Sequence, residues 1–195
     1  LIPILSETLA GYDNVTVIND DIMKLDLPAL WAEHFSGMRV TVCANLPYYI
    51  TTPILMLLLE SRLPIDHITV MIQKEVADRI AEKPGSKVYG ILSVLLQAWY
   101  DIDYIISVGS GAFSPPPKVQ SAVIRLRRNS RTELGCDWKQ FKLVVKTAFS
   151  RRRKTLRNAL KPLIREGLDT SDPIFDLRAE RLSVEDFVRL TELLT

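Results

Sequence analysis

Short apolar runs rich in β-branched residues alternate with segments of helical spacing, and this alternation constrains the fold more than any other feature of the chain. The runs VTVIND, MRVTVCAN, DHITVMIQ, YDIDYIISVG and QSAVIRLRR are typical of strands. Segments such as ITTPILMLLLES and VYGILSVLLQAW have helical length and separate most of these runs. The pattern predicts an α/β open sheet with helices on both faces, in which the closing strands need not all be parallel.

The pattern changes near residue 129. Beyond this point no further strand is evident, and three segments are typical of helices: WKQFKLVVKTAF, KTLRNALKPLIREG and SVEDFVRLTELL. We therefore predict an α/β core over residues 1–128 and a small all-helical domain over residues 129–195.

Charge is distributed unevenly between these two parts. Residues 1–127 contain 10 Lys or Arg and 13 Asp or Glu, whereas residues 128–195 contain 15 and 10. Between Lys139 and Arg165 there are ten Lys or Arg residues and no acid. Such a block suits a phosphate-facing surface, because a protein that neutralises phosphates releases their counterions. A solvated helix face explains the same charges about equally well.

Composition excludes several classes of protein. The chain is 47% hydrophobic and can bury a sizeable core, while its two cysteines lack the spacing of a disulfide scaffold or a zinc site, so no metal is expected. No apolar stretch is long enough to span a bilayer and no signal-peptide pattern opens the sequence, which predicts a cytoplasmic protein without a membrane partner. His34, His67 and Cys43 are interpreted as ordinary residues, with Cys43 packed inside a strand.

The sharpest local feature is Asn45-Leu46-Pro47-Tyr48, directly after the strand-like run RVTVCA. The Asn45 side-chain oxygen and the Leu46 carbonyl can accept hydrogen bonds from an exocyclic amino group, and Tyr48 can stack on a flipped base. Pro47 restricts Leu46 to extended geometry, so its carbonyl can be aimed. A strand-end turn with a packed tyrosine is the competing interpretation, of about equal weight once the position after a strand is considered.

A Gly-rich turn for a nucleotide-type cofactor is not evident in the sequence. In open α/β sheets such a turn usually follows the first strand. The segment SVGSGAF follows a late strand instead and lacks the helix that should come next.

Several motifs in order along the chain resemble one family. NLPYYITTPIL, QKEVADRI, FSPPPKVQSAVIRL, FSRRRKTLRNAL and RAERLSVEDF are together similar to the ribosomal RNA adenine dimethyltransferases, most closely to their bacterial small-subunit (16S, KsgA-type) branch. The resemblance implies a Rossmann-like class I methyltransferase core followed by a helical RNA-binding domain. It also implies N6,N6-dimethylation of two adjacent adenosines near the 3′ end of small-subunit ribosomal RNA, with S-adenosylmethionine as donor, in the pre-30S particle.

The resemblance assigns roles to individual residues. Asn45, Leu46, Pro47 and Tyr48 match the family's target-adenine motif, and Asn45 also borders the donor. Phe113 matches the aromatic that covers the other face of the adenine; without the resemblance it is an ordinary loop anchor. Asp21 matches the acid that accepts from the amino group of the donor's adenine, whereas adjacent Asp20 is better explained as a helix N-cap.

The resemblance also implies an RNA-facing surface. Lys118, at the end of the stiff loop Ser114 to Lys118, is positioned to touch phosphate. The basic segment of FSRRRKTLRNAL matches the family's RNA-facing segment, and at helical spacing about half of its cations should face the RNA: Arg151, Arg152, Arg153, Lys154 and Arg157.

The chain departs from the family pattern at its beginning. It is expected to start inside the helix that follows the donor-ribose acid, so the Gly-rich turn and the first two strands are not among its 195 residues. A non-catalytic ribosome assembly factor that binds ribosomal RNA, or a fragment unable to bind donor, therefore stays open as an alternative. A large-subunit adenine dimethyltransferase is a further alternative, although PPPKVQSAV and RAERLSVEDF resemble the small-subunit branch better. A monomer is expected.

Overall fold

The computed structural model describes residues 2–195. Within these residues there are four strands: β1 (Val40–Asn45), β2 (Ile65–Gln73), β3 (Tyr100–Val108) and β4 (Ser121–Arg128). Eight α-helices accompany them in the described residues: α1 (Ile2–Thr8), α2 (Leu27–His34), α3 (Thr51–Glu60), α4 (Lys74–Ala81), α5 (Ile91–Gln97), α6 (Trp138–Ser150), α7 (Leu156–Ala159) and α8 (Val184–Leu194). Short 3-10 turns cover Ile22–Lys24, Tyr48–Ile50, Ser110–Ala112, Pro173–Asp176 and Ala179–Arg181.

The strands form one mixed sheet in the order β1-β2-β4-β3. β1 and β2 are parallel and are connected through α3, whereas β4 runs antiparallel to both β2 and β3. The register of β3 against β4 shifts between Tyr104 and Ile106, which marks a bulge in this edge strand. The α/β core is as predicted, and the closing strands are antiparallel, an arrangement that the prediction allowed.

Alternating apolar residues explain why the central strands lie where they do. Ile68, Val70 and Ile72 of β2 and Ile124 and Leu126 of β4 are each at most 1% exposed. Full burial of such a side chain contributes about 1.5–3 kcal/mol, so these two strands cannot slip by one residue without turning that face to solvent.

Helices occupy the sequence beyond Arg128, and no strand follows in the described chain. Asp137 accepts a hydrogen bond from the Gln140 N–H and begins α6, and Ser183 with Asp186 forms a capping box at the start of α8. Phe149 of α6 stacks on Phe187 of α8 with ring centroids 5.9 Å apart. The predicted helical second part is therefore present.

The chain folds as two compact units. One unit comprises the segment up to Met38 together with Tyr49–Pro64, and the other comprises Arg39–Tyr48 with Ile65–Thr195. The sheet and the helices after Arg128 lie in the same unit. The proposed division into residues 1–128 and 129–195 therefore stays a prediction.

Two predicted elements are wrong. The run VTVIND is not a strand: no described segment pairs with it, and Val15, Val17 and Ile18 are 41–47% exposed. The predicted helix in KTLRNALKPLIREG is limited to α7, because Pro162 has no N–H to continue an α-helix and its ring clashes with the preceding turn. Among the described residues, no helix is long and apolar enough to cross a membrane.

Candidate functional site

One edge of the sheet carries the predicted base-binding residues. β1 ends at Asn45, which pairs with Met71, and β4 begins at Ser121, which pairs with both Gln73 and Val108. The ends of β1, β2 and β3 and the start of β4 therefore meet at this edge. Neighbouring strands lie about 4.8 Å apart, so β1 and β3, the two outer strands of the sheet, lie about 14 Å apart. The loops at this edge contain the predicted residues Leu46, Pro47, Tyr48, Phe113 and Lys118.

Asn45 and Leu46 are held at the end of β1 in different ways. Asn45 is the last strand residue and is exposed, so its amide is accessible to a ligand. The Leu46 side chain is 7% exposed, and the Leu46 N–H donates to the Met71 carbonyl at 3.1 Å. The hydrogen bond and the buried side chain together hold Leu46 in place, and its carbonyl begins the next peptide bond, to Pro47. Pro47, next in the chain, is exposed.

Tyr48 is tied to the opposite side of this edge. Its hydroxyl lies 2.6 Å from the Ser121 Oγ, and the Ser121 side chain is fully buried. The Tyr48 ring itself is half-buried and belongs to the 3-10 turn Tyr48–Ile50. Sequence reasoning missed Ser121, because a serine at the start of a strand gives no local signal of a partner 73 residues away.

Phe113 and Lys118 lie on the loop that joins β3 to β4. Phe113 follows the turn Ser110–Ala112, its N–H donates to the Ser110 carbonyl at 3.2 Å, and its side chain is half-buried. Lys118 is exposed three residues before Ser121. Both residues are therefore available at the sheet edge, as their predicted roles require.

Asp21 lies in the other compact unit and caps the 3-10 turn Ile22–Lys24. One carboxylate oxygen accepts from the Met23 N–H at 3.0 Å, and the other lies 3.8 Å from the Lys24 ammonium. The capping role therefore belongs to Asp21, whereas the Asp20 carboxylate accepts from the Asp21 N–H at 2.7 Å. The Asp21 side chain is 47% exposed, so it can still receive a ligand.

Lys74 lies at this edge in an ion pair with Asp78. It begins α4 directly after β2, and its ammonium donates to both oxygens of Asp78, at 2.7 and 3.0 Å. The hydrogen bond to Asp78 raises the pKa of Lys74. Lys74 is therefore protonated at neutral pH and does not act as a base.

The residues interpreted as ordinary take no part in this arrangement. Cys43 is exposed, so the prediction that it packs inside a strand is wrong: alternate residues of β1 face outward, and Cys43 is one of them. His34 is exposed at the end of α2, and His67 lies half-buried in β2. Within residues 2–195, no group of three or more His, Cys, Asp or Glu side chains is arranged to hold a metal ion.

The predicted RNA-facing segment is a turn between α6 and α7. Its side chains separate into two sets that helical spacing does not describe. Arg152 donates to the carbonyls of Ser86 and Tyr89, at 3.3 and 2.8 Å. Arg157 donates to the carbonyl and hydroxyl of Thr170, at 2.8 and 2.7 Å.

The remaining cations of the segment are exposed to solvent. These cations are Arg151, Arg153 and Lys154. In the described part of the chain, no ion pair joins them to an acidic side chain. The geometry therefore favours these three as RNA contacts and gives Arg152 and Arg157 roles within the protein.

A cavity of about 410 Å³ lies at the other end of the strands. Tyr89, Tyr100 and Arg131 are among the residues that line it, and Tyr100 pairs with Arg128, whereas Val108 pairs with Ser121. β3 therefore separates the cavity from the edge with the base-binding motif by about 25 Å. The cavity is not part of the candidate adenine site.

A family model matches the whole chain and shows its protein family. The model described as "Ribosomal RNA adenine dimethylase" matches residues 1–195. The chain belongs to this family. Membership in the dimethylase family confirms the resemblance seen in the ordered motifs.

Within the dimethylase family, the chain is similar to bacterial proteins that are named for the small ribosomal subunit. "Ribosomal RNA small subunit methyltransferase A" of Parabacteroides distasonis is 53% identical over 178 residues, and that of Bacteroides thetaiotaomicron is 52% identical over 176. Each alignment covers 90% of this chain and 64% of the relative. The protein of the same name in Alkaliphilus metalliredigens is 45% identical over 202 residues, covering 98% of this chain and 70% of the relative. The chain thus spans less than two thirds of the first two relatives.

Solved structures of RNA methyltransferases share the fold. A dimethyladenosine transferase from Plasmodium falciparum superimposes with a TM-score of 0.74 at 22% identity, covering 94% of this chain and 73% of the other. The 23S rRNA methyltransferase ErmE superimposes with a TM-score of 0.69 at 21% identity, covering 98% and 77%. These likenesses concern the fold alone, and they confirm the predicted Rossmann-like class I methyltransferase architecture with a helical C-terminal part.

Proposed function

We propose that this protein dimethylates adenine N6 in small-subunit (16S) ribosomal RNA. S-adenosylmethionine is the methyl donor, and the targets are two adjacent adenosines near the 3′ end, modified in the pre-30S particle in the cytoplasm by a single copy of the protein. The observation that carries the proposal is Asn45-Leu46-Pro47-Tyr48 at the sheet edge, in a member of the dimethylase family. The name of the bacterial relatives supports the small subunit as substrate.

The residues of the edge suit an exocyclic amino group on a planar base. In the first transfer the exposed Asn45 amide oxygen and the Leu46 carbonyl accept the two N6 hydrogens, and in the second transfer one of these oxygens accepts the single hydrogen that is left; each arrangement orients the nitrogen lone pair. Because both residues are positioned at the end of β1 by their contacts with Met71 of β2, their oxygens also stabilise the positive charge that grows on N6. The proton leaves after the methyl arrives, so no side chain with a shifted pKa is needed as base. Tyr48 and Phe113 hold the two faces of the ring.

The donor requires a polar contact that this chain can supply. The Asp21 carboxylate is exposed and anionic, which fits an acceptor for the amino group of the donor's adenine, and Asn45 borders the reacting methyl. When bound, S-adenosylmethionine supplies an electrophilic methyl group on its sulfonium. In this proposal Asp21 and Asn45 bind and orient, and the acceptors on β1 position the nucleophile.

RNA affinity comes from exposed cations outside the base site. Arg151, Arg153 and Lys154 form an uncompensated basic turn, and Lys118 lies beside the base-binding edge. Each phosphate neutralised releases counterions, so these contacts add affinity without reading sequence. The base motif then selects an unstacked adenine.

Methyl transfer to isolated ribosomal subunits tests the proposal directly. The protein is incubated with small subunits that lack these methyl groups and with labelled S-adenosylmethionine, whose binding is measured separately by calorimetry. Asn45→Ala is expected to reduce transfer by about 100-fold, the usual effect of removing one preorganised polar group from a transition state. Asn14→Ala, which removes an exposed amide, is the matched control.

Two results would contradict the proposal. RNA binding by the unaltered protein without donor binding or transfer would indicate an assembly factor. Transfer that persists in Asn45→Ala would place the reacting adenine elsewhere.

A further inference from the structure

We infer that Ser121 is a positioning residue for the target adenine, because its hydrogen bond to the Tyr48 hydroxyl holds the ring on which the base stacks. The inference rests on the proposed function and adds to it a residue outside the four-residue motif. The bond joins the motif to β4, a strand on the far side of β2 from Asn45.

Ser121 is an immobile anchor. Its side chain is fully buried, and its main chain lies in the ladder between Gln73 of β2 and Val108 of β3. The residue before it is fixed as well, because the Gln120 carbonyl accepts from the Lys74 N–H at 2.9 Å. The Ser121 Oγ therefore occupies a point set by three strands and α4.

Tyr48 needs such an anchor. It lies in a 3-10 turn of three residues, and its half-buried ring has two rotatable bonds. The hydrogen bond of 2.6 Å restrains the far end of the ring, opposite its attachment to the main chain. A ring held at both ends has a fixed axis and cannot swing away from the site, so less entropy is lost when the base binds.

The partnership is also needed by Ser121. A buried hydroxyl without a partner is costly, and the Tyr48 hydroxyl is the partner that the structure gives to it. A displaced Tyr48 ring would leave the Ser121 Oγ unsatisfied, so burial of Ser121 opposes displacement of the ring. Tyr48 therefore differs from an aromatic residue that contributes only by stacking on the base.

Conservative variants separate positioning from stacking. If the Tyr48 ring acted only by stacking, the Tyr48→Phe variant would bind the target adenine as tightly as the unaltered protein. Positioning through Ser121 instead predicts that Tyr48→Phe and Ser121→Ala each weaken adenine binding by about five- to tenfold, the size of one hydrogen bond. The double variant should be no weaker than either single variant, because both changes remove the same bond.

The experiment uses the full chain and two measurements. Stacking is measured from the fluorescence of 2-aminopurine placed at the target position of a short RNA; its amino group is on C2 and not on C6, so the signal reports stacking apart from the hydrogen bonds to Asn45 and Leu46. The motion of the Tyr48 ring is measured by NMR relaxation of ¹³C-labelled tyrosine without RNA. Ser107→Ala is the matched control, since it removes a serine hydroxyl 3.0 Å from the Tyr104 hydroxyl on exposed β3. It should change neither measurement.

The outcomes are distinct. Faster ring motion with weaker stacking in both single variants supports the inference. An unchanged Tyr48→Phe overturns it, and this variant leaves β4 intact even if Ser121→Ala unfolds. Ring motion that changes without any loss of stacking also overturns it. If the unaltered protein neither stacks the base nor transfers methyl groups, the proposed function fails and the inference falls with it.

Discussion

Individual side chains at the sheet edge are held to different degrees. Tyr48 is restrained at its hydroxyl by Ser121, whereas Phe113 has no polar tip and is placed by the turn that ends with its N–H bonded to the Ser110 carbonyl. Phe113 therefore depends on its ring alone. Its proposed contribution to the base is stacking, and any flat ring at this position should supply it.

Phe113→Ala is expected to weaken binding of an adenine-containing RNA by about 10- to 100-fold, since stacking on an aromatic contributes roughly 1–3 kcal/mol per base. Phe113→Tyr should retain most of the affinity. Fluorescence titration with 2-aminopurine RNA measures both variants. Val119→Ala on the same loop, where the side chain is 41% exposed, provides the control. Equal affinity in Phe113→Ala would remove Phe113 from the base site.

Tyr89 shows how a buried residue controls stability at high pH. Its hydroxyl is buried beside the cavity without a hydrogen-bond partner in the described chain. Burial, followed by the carboxylates of Glu185 and Asp186, raises the pKa of Tyr89 above its ordinary value of 10.0. The folded protein therefore retains this proton at a pH where the unfolded chain loses it.

The sign of the effect follows from linkage. Because the folded pKa is raised, the stabilising contribution of Tyr89 is complete below about pH 10 and is lost as the pH rises further. Tyr89→Phe should therefore lose less stability than the unaltered protein between pH 8 and pH 10.5, measured by urea unfolding. Tyr12→Phe, at a side chain 61% exposed, should behave like the unaltered protein. Equal pH dependence in Tyr89→Phe would show that Tyr89 ionises normally.

At the scale of elements, the sequence predicts those helices and strands that are marked by a pattern of buried apolar residues or by characteristic end residues. β2 and β4 are recognisable because their apolar residues alternate into a core, and α3 because an apolar run follows a proline-containing first turn. The run VTVIND is also rich in β-branched residues, yet a strand exists only where a neighbouring strand supplies hydrogen bonds. Composition alone does not report that neighbour.

The candidate site divides in the same way. Asn45 to Tyr48 are contiguous, so their chemistry is visible in the sequence. Ser121 lies 73 residues from Tyr48, and finding it requires the order of the strands. The inward contacts of Arg152 and Arg157 likewise depend on carbonyls that no sequence pattern marks.

The turn between α6 and α7 gives a prediction for RNA binding. Replacing Arg151, Arg153 and Lys154 together with Gln should lower RNA affinity and reduce the slope of log K against log salt by about 2, because each phosphate contact contributes about 0.7–0.9. Arg152→Gln and Arg157→Gln should instead lower Tm and leave the slope nearly unchanged. The measurements are salt-dependent binding and thermal unfolding. An unchanged slope in the triple variant would place the RNA on another surface.

At the scale of the whole molecule, the sheet and the helices after Arg128 either unfold cooperatively or unfold as separate domains. Both lie in the unit formed by Arg39–Tyr48 and Ile65–Thr195, and α6 and α8 both contact α5. The predicted division after residue 128 would instead make the helices an independent domain. Amide exchange can distinguish these two arrangements.

Phe187→Ala removes a fully buried ring from α8 and should destabilise the protein by about 3–5 kcal/mol. If the unit is cooperative, amide exchange should accelerate in β4 as well as in α8. Leu193→Ala, on the same helix but 36% exposed, should have little effect on either. Unchanged protection of β4 in Phe187→Ala would support separate domains at the predicted boundary.

The Arg152 contacts have a consequence for proteolysis. Lys87 is exposed and is a potential trypsin site, but Arg152 holds the carbonyls of Ser86 and Tyr89 on either side of it. The Gly85 N–H also donates to the Glu180 carbonyl at 2.6 Å. A protease must pull its target into an extended shape, which this loop cannot adopt while the arginine is in place. Cleavage after Lys87 would therefore report that Arg152 has released this loop.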